Sequence, residues 1–264
     1  ISADPEWINS AERQFPVTID PIIEKKYSNG ITGATVNSKN PSVNFSSIPV
    51  YYVGNDNTFY NSRSYFKIDV PDIGKSNIVV KAEFNLYQTA CNPSDFAERN
   101  IYAYKLTQDW DATQITWNNK PTNQSTISDY MALNKTNSTV KTIDITGMVR
   151  EWYNGSSKNY GFVLMGDSEP TTYGKGSATF VKSLANTNFT NAQLPSFKIT
   201  YRNNKGIEDY WTYHSVSADN SGTAYINDFT GNLVFVNTDI DESGNRYPLT
   251  LSHVYNGYNA KNQY

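Results

Sequence analysis

Two tryptophans stand close together in the segment 109–121, DWDATQITWNNKP. Trp110 lies between two aspartates, and Trp117 is followed by two asparagines. Exposed indole rings beside carboxylates and amides could stack on a sugar ring and bond its hydroxyl groups. The alternative is a rigid corner that packs both indoles into a β core, which is favoured because tryptophans mostly bury most of their area. The run 115–117 has the β-branched and aromatic makeup of a strand.

Four carboxylates in segments that resemble loops could act as calcium ligands. They are Asp109, Asp111, Asp167 and Glu169. Calcium binds carboxylate and carbonyl oxygens, both of which such loops supply. The sequence therefore offers calcium as a candidate cofactor, although spacing alone does not bring these side chains together.

A second candidate surface comes from two alternating runs, which we interpret as neighbouring strands. In 63–70 and in 81–87, apolar residues occupy every second position, as in a half-buried strand. The intervening side chains would face solvent or a ligand. The candidate ligand-binding residues are Arg63, Tyr65, Lys67, Glu83, Asn85 and Tyr87. An ordinary solvated sheet face remains the competing interpretation.

Composition excludes several other classes of function. Two histidines and one cysteine provide neither a zinc site nor a Cys/His catalytic pair, and one cysteine cannot form an internal disulfide. The net charge of −3 gives no electrostatic footprint for nucleic acid. No apolar run approaches the ~20 residues of a membrane span. Nucleophile-elbow, Walker and dinucleotide patterns are absent, so we expect a non-catalytic protein.

These candidate residues must be positioned by a β fold. Tyrosine, phenylalanine and tryptophan make up 14% of the chain, which favours strands built on an aromatic core. Short alternating runs between turn clusters predict an all-β, jelly-roll β-sandwich over residues 22–203. Further strands are predicted at 100–107, with Tyr102, Tyr104 and Leu106 on one face, and at 160–165 and 197–201. One short helix is predicted from Thr146 to a stop at Gly155, with an apolar stripe of Met148, Val149, Trp152 and Tyr153.

The two ends of the chain differ from this central part. Residues 1–21 look like a lead-in from a preceding domain, with a helix over 4–13 and a strand over 17–20. Residues 204–264 are rich in aromatics, asparagine and glycine, and predict a small C-terminal β extension. Within it, strands are predicted at 223–227 and 232–238, joined by a turn at 230–231. The chain begins without methionine, so we expect a piece of a longer polypeptide.

Three ordered motifs resemble DNRLRE-type domains. They are SRSYFKIDV at 62–70, the W-x6-W-N-x-x-P element ending at Pro121, and DITGMVREWYNG with YGFVL within 144–164. The resemblance covers about residues 22–203. It implies a jelly-roll module grouped with a family of carbohydrate-binding modules, and a polysaccharide or cell-wall glycan as partner.

A second resemblance concerns both flanks. AERQFPVTIDP at 11–21 looks like the lead-in to such modules, and 206–235 resembles the entry to the β-shell of bacterial Rhs or YD-repeat wall-associated proteins. It implies a secreted or cell-wall-associated protein whose β-shell, the partner of this chain, encloses a C-terminal toxin. The implied role is carbohydrate binding or adhesion, and the alternative is a purely structural stalk or cap for the shell.

Overall fold

The structure is a computed structural model, and every structural statement below concerns the residues it describes. These are residues 22–26, 29–73, 77–92, 99–133, 138–166, 169, 172, 174, 176–184, 189–203, 207, 211–228, 230–242 and 249–257. The helix expected over 4–13 and the strand expected over 17–20 lie outside these residues.

The secondary structure is mostly β, as predicted. The strands are β1 Ile22–Lys26, β2 Ile31–Asn37, β3 Val50–Asp56, β4 Tyr60–Ile68, β5 Asn77–Asn92, β6 Arg99–Lys105, β7 Asp129–Leu133, β8 Thr139–Asp144, β9 Phe162–Gly166, β10 Gly176–Val181, β11 Ser196–Asn203, β12 Tyr213–Ser217, β13 Thr223–Asn227, β14 Leu233–Glu242 and β15 Leu249–Asn256. Helix α1 is Thr146–Tyr153, and single 3-10 turns lie at Asn191–Gln193 and Asp219–Ser221.

Eleven strands form one large curled antiparallel sheet. Its order is β1-β11-β5-β10-β3-β4-β9-β6-β7, with β2 paired to β4 and β8 paired to β5. The order places the predicted strand at 160–165 centrally, since β9 lies between β4 and β6. The fold class predicted from the sequence, a β-sandwich with one short helix, is confirmed.

Aromatic rings fill the main core between the two halves of this sheet. Phe66 of β4, Phe84 of β5 and Phe162 of β9 are fully buried. Their ring centroids lie 4.8 Å apart for Phe66 and Phe84, and 5.1 Å apart for Phe84 and Phe162. Such edge and tilted contacts are favoured between aromatic rings. A sequence poor in leucine thus builds its core from rings.

This packing corrects the prediction that β4 and β5 are neighbouring strands. β4 pairs with β2, β3 and β9, whereas β5 pairs with β8 and β10. Because Phe66 and Phe84 meet across the core, the alternate side chains of the two strands point away from each other. The six candidate ligand-binding residues therefore lie on two opposite faces, three on each.

A loop covers part of the outer face of β4, β9 and β6. We call residues 107–121 the corner. Its Ile115 is buried with Tyr65 and Val163, while Trp110 and Trp117 pack against them half-buried. The corner interpretation of the two tryptophans is therefore the one that the packing supports.

The strand expected at 115–117 is absent, and this prediction was wrong. The segment runs between two turns. Asn119 Oδ1 accepts hydrogen bonds from the Thr116 amide at 2.6 Å and the Thr116 hydroxyl at 2.9 Å. A side-chain acceptor thus takes the backbone donor that a strand ladder would use.

Helix α1 packs its predicted stripe onto the main core. Met148 and Val149 are buried, and Trp152 and Tyr153 lie against the core half-buried. The N-cap is Ile145, and the hydroxyl of Thr146 accepts a hydrogen bond from the Ala82 amide at 2.8 Å. Thr146 therefore ties the helix to β5 and does not cap it. The glycine predicted to stop the helix has φ of +75°.

The single cysteine is buried in the large sheet. Cys91 lies in β5 opposite Ala178 of β10 and is 9% exposed. It is a free thiol. In this position the cysteine acts as a small apolar residue.

The chain divides into two compact units. One comprises 22–73 and 79–201, and the other comprises 1–21, 74–78 and 202–264. The second unit contains the antiparallel sheet β12-β13-β14-β15. Its strands include those predicted around the turn at 230–231. Both histidines of the chain lie in this sheet, and each pairs with an aspartate at 2.5 Å, His214 with Asp228 and His253 with Asp239.

Candidate functional site

One row of side chains crosses the outer face of the large sheet. The strand register pairs Val36 with Arg63, Met165 with Tyr102, and Tyr102 with Tyr130. Extending the β4–β9 register by one residue places Met165 beside Arg63. These five residues, on β2, β4, β9, β6 and β7, form what we call the outer row. Neighbouring members stand about 4.8 Å apart, the spacing of adjacent strands.

Two tyrosines form an open end of the outer row. The rings of Tyr102 and Tyr130 lie 5.9 Å apart with an interplanar angle of 47°. Tyr130 is 55% exposed, and Tyr102 is half-buried. The side-chain Nδ2 of Asn100 donates to the Tyr102 hydroxyl at 3.3 Å, which helps to fix that ring. The pair presents aromatic surface together with hydroxyl groups at one place.

A bidentate ion pair, which we call the fork, joins Arg63 of the outer row to Glu169. Arg63 Nε and Nη2 donate to the two carboxylate oxygens of Glu169 at 2.5 and 2.7 Å. The side chains of Arg63 and Glu169 are 13% and 24% exposed. Burial is the largest single influence and acts to lower the pKa of Arg63, but the hydrogen bonds and charges of Glu169 and Tyr65 together outweigh it and hold the pKa above its ordinary value. Arg63 is therefore a fixed cation with a fixed partner.

The corner forms a wall beside this ion pair. Trp117 carries two cations over its ring, Arg63 Cζ at 5.3 Å and Lys120 Nζ at 4.2 Å from the centroid. Lys120 Nζ also donates to the Trp117 carbonyl at 2.8 Å. Burial and the nearby Arg63 lower the pKa of Lys120. Because cations already lie over its ring, Trp117 serves better as a wall than as a stacking platform.

Trp110 is held by the sheet that it covers. Its Nε1 donates to the Tyr160 carbonyl at 2.9 Å, and its ring meets Tyr65 edge-on at 5.8 Å. Tyr65 is 0% exposed, and burial raises the pKa of its hydroxyl. The prediction that Tyr65 faces solvent is wrong, because the corner lies over it. A fully covered ring has no free face for a ligand.

Lys67, the third candidate ligand-binding residue on β4, pairs with a residue of the corner. Lys67 Nζ donates to Asp109 Oδ1 at 2.6 Å. This hydrogen bond, together with one from the Trp110 amide, lowers the pKa of Asp109. Asp111 instead accepts from the Thr113 amide at 2.7 Å, which lowers the pKa of Asp111. Both aspartates fasten the loop on which they stand.

The carboxylates proposed for calcium are not gathered into one site. Glu169 faces Arg63 and Asp109 faces Lys67, so each is already paired with a cation. Asp167 lies outside the described residues. Among the residues that the structure does describe, no group of three or more His, Cys, Asp or Glu side chains could hold a metal ion. Calcium binding therefore stays a prediction, without a coordination geometry to support it.

The candidates on β5 occupy the opposite face. Glu83 pairs with Lys81 at 2.5 Å. Asn85 accepts from the Thr142 hydroxyl at 2.7 Å and donates to the Ser196 hydroxyl at 3.3 Å. Tyr87 is half-buried opposite Val140 of β8. These contacts are those of a solvated sheet face. Among the described residues of β5, they bring no pair of aromatic rings next to an ion pair.

Residues 24–187 match the family profile of carbohydrate-binding module family 96. The chain belongs to this family. The matched region of this family 96 module includes all five members of the outer row and the whole corner. Within the described residues, no helix is long and apolar enough to cross a membrane.

Three curated Bacillus proteins are similar to this family 96 module. They are the tRNA nuclease WapA of Bacillus subtilis strain 168, the tRNA3(Ser)-specific nuclease WapA of Bacillus spizizenii, and the tRNA(Glu)-specific nuclease WapA of Bacillus subtilis subsp. natto. Each is 25% identical over 219 residues, which cover 78% of this chain. The match covers 9%, 9% and 8% of the three proteins, so the chain spans less than a tenth of their length.

Sequence reasoning did not single out Tyr102 and Tyr130 as candidate site residues. It recognised that Tyr102 and Tyr104 share a strand face, and the structure places that face outside, because Ile101 and Ala103 point into the core. Tyr130 belonged to no predicted strand. The alternation of Ile101 and Ala103 with two tyrosines is the pattern that could have identified an outward aromatic face.

Proposed function

We propose that the outer row binds a polysaccharide or cell-wall glycan, and that the chain is a non-catalytic carbohydrate-binding or adhesion module. The observation that carries the proposal is the exposed Tyr102–Tyr130 pair in line with the Arg63–Glu169 fork. Family 96 membership supports carbohydrate as the class of ligand. In this proposal the corner residues that pack against the sheet hold the ligand-binding side chains in place.

The chemistry of the row suits a sugar chain. The faces of pyranose rings carry C–H groups that pack on aromatic rings, and their edges carry hydroxyls. Tyr102 and Tyr130 offer ring surface, while Arg63 and Glu169 offer donors and acceptors held in place by their mutual hydrogen bonds. Binding sites of this kind combine apolar surface with a few fixed polar groups.

The larger setting is part of the proposal. We infer that the parent protein is a secreted, cell-wall-associated bacterial protein of Rhs or YD-repeat type with a toxin-like effector. The similarity to WapA nucleases and the resemblance of 206–235 to the entry of such a shell support this setting. In it, the module would hold the protein at a glycan surface, and catalysis would belong to another part of the parent.

The test is retention of this 264-residue chain on a glycan array and on purified bacterial cell walls. Tyr102→Ala and Tyr130→Ala should each weaken retention by about tenfold, equivalent to ~1.4 kcal/mol, because each removes ring surface from the row. The melting temperature should change little for Tyr130→Ala, since that ring is exposed.

Two further variants locate the site. Tyr255→Ala removes a comparably exposed ring from the small sheet and should leave retention unchanged. Tyr87→Ala tests the β5 face, and a loss of binding there with none in Tyr130→Ala would contradict the proposed site. Each assay is run with and without a calcium chelator, and a loss of retention on chelation would establish the predicted calcium dependence.

A second candidate is a purely structural stalk or cap for an Rhs-type shell. One face of the small sheet favours it, because Val216, Ile226, Leu233 and Tyr255 are exposed on that face, with Ile226 directly opposite Leu233. Exposed apolar surface of this kind is typical of contact surfaces. A well-folded chain that binds no glycan in the array and no cell wall would favour this function.

A further inference from the structure

Exposure changes steadily along the outer row. Tyr130 at one end is 55% exposed, Tyr102 and Met165 are half-buried, the Arg63 side chain is 13% exposed, and Val36 at the other end is 0% exposed. The side chains of the row are therefore exposed at β7 and become more buried toward β2. We call the surface that they form the floor. A ligand lying along it is open to solvent above Tyr130 and enclosed near Arg63.

Loops close the row at its β2 end. Val36 belongs to the buried cluster that the corner covers. The corner is fastened to the loop after β2, because the Asn118 amide donates to the Pro41 carbonyl at 3.0 Å. Asn44 Nδ2 from the same loop donates to the Ala112 and Ile115 carbonyls at 2.9 and 2.7 Å. These hydrogen bonds hold the corner and the loop after β2 together over the part of the floor beyond Arg63.

Arg63 is the last member of the row that a ligand can reach. Its guanidinium is paired with Glu169, and the centroid of the Trp117 ring lies 5.3 Å from its Cζ. A sugar at Arg63 could be contacted by fixed polar groups, whereas a further sugar beyond it would overlap the loops above Val36. A chain that enters over Tyr130 must therefore stop at Arg63.

We propose that the module recognises the end of a glycan chain, with the terminal sugar at the Arg63–Glu169 fork and the following sugars over Tyr102 and Tyr130. This inference rests on the proposed glycan binding, and it specifies which part of the polymer the module binds. The module then attaches at chain termini, and polymer length does not increase the number of attachment points.

The decisive experiment measures how many modules bind per glycan chain. Linear glucan, mannan, xylan and polyuronate are each fractionated by length, and the complexes formed with the 264-residue chain are sized by light scattering and sedimentation. For a polysaccharide that binds, the expected stoichiometry is one module per chain for short and long fractions alike. A number of bound modules that rises with chain length would overturn end recognition while leaving glycan binding intact.

The failure of glycan binding gives a different result. If no fraction of the four polymers binds and the chain is not retained on the glycan array or on purified bacterial cell walls, the proposed function falls, and end recognition falls with it. A second measurement uses cleavage of the bound polymer at internal bonds, which creates new ends at constant mass. Binding capacity per gram should then rise in proportion to the number of ends, and an unchanged capacity would contradict the inference. Tyr255→Ala serves as the matched control and should reproduce the native stoichiometry.

Discussion

Lys182 is a buried amine without a described carboxylate partner. It follows β10 and is 3% exposed, its Nζ donates to the Ser46 carbonyl, and it lies 5.5 Å from the centroid of the Tyr51 ring. Burial lowers the pKa of Lys182 to about 8 from an ordinary value of 10.5. The folded protein therefore disfavours the charged form of this side chain.

The position of this pKa predicts how stability depends on pH. Between about pH 8 and pH 10.5 the unfolded chain binds a proton at Lys182 that the folded chain has lost, so this group raises the free energy of unfolding as pH rises. The slope stays below about 1.4 kcal/mol per pH unit, the limit for one proton. Lys182→Met should remove this contribution, as measured by urea unfolding across that pH range.

A matched control separates this effect from other titrations. Lys158 is exposed, and Lys158→Met should keep the native pH profile. If Lys182→Met also kept the native profile, the amine would not be the group whose proton is lost on folding.

At the scale of elements, two glycines at the ends of elements differ in the space around them. Gly161, just before β9, has φ of +83°, and a Cβ there would lie 1.9 Å from the Phe66 carbonyl oxygen. Gly155, just after α1, has φ of +75° and nothing within 4 Å of its Cβ position. The two positions share a left-handed backbone and differ in the space around them.

Alanine at these positions should therefore have unequal effects. Gly155→Ala should cost about 1 kcal/mol of unfolding free energy, the strain of a left-handed alanine. Gly161→Ala adds a collision with the backbone of β4 and should cost several times more. Chemical denaturation of both variants checks this, and equal losses would show that β9 shifts away from β4 at little cost.

The sequence predicts those elements whose alternation is local. The core positions Phe66, Ile68, Phe84 and Leu86 follow from period-two alternation, and all four are buried. The predicted helix stripe and the turn at 230–231 also follow from residue types at short spacing. The fold class therefore follows from patterns that each span only a few residues.

The site could not be predicted in the same way, because its geometry depends on distant segments. Tyr65 is covered by a corner that lies more than forty residues later in the chain, so its outward position in the strand gave a wrong expectation. The pairing of Tyr102 with Tyr130 requires β6 and β7 to be adjacent. The pairing of Arg63 with Glu169 joins residues 106 positions apart, and no periodicity contains that information.

At the scale of the whole molecule, the chain contains two compact units with separate sheets. Apart from residues 74–78, the family 96 match at 24–187 lies within the larger unit. A module that binds glycan by itself should keep its stability when the chain is cut after β11. Domain boundaries are commonly the places where such cuts are tolerated.

Limited proteolysis tests this independence. A cut between residues 203 and 206 should leave a fragment that contains the outer row, melts near the temperature of the larger unit in the intact chain, and retains glycan binding. Loss of cooperative melting in this fragment would instead show that the two units form one structural entity, which is the outcome that the stalk or cap function requires.

The single buried thiol in β5 can also report on the opening of the larger unit. Cys91 is buried in the main core beside β10, so the rate of its labelling by a thiol reagent measures the population of states in which this part of the larger unit is open. Because the chain has one cysteine, each labelled molecule reports one opening event at one known place. A glycan that stabilises the folded module should slow this labelling in proportion to its occupancy, which gives a binding assay that needs no mutation and no attached dye.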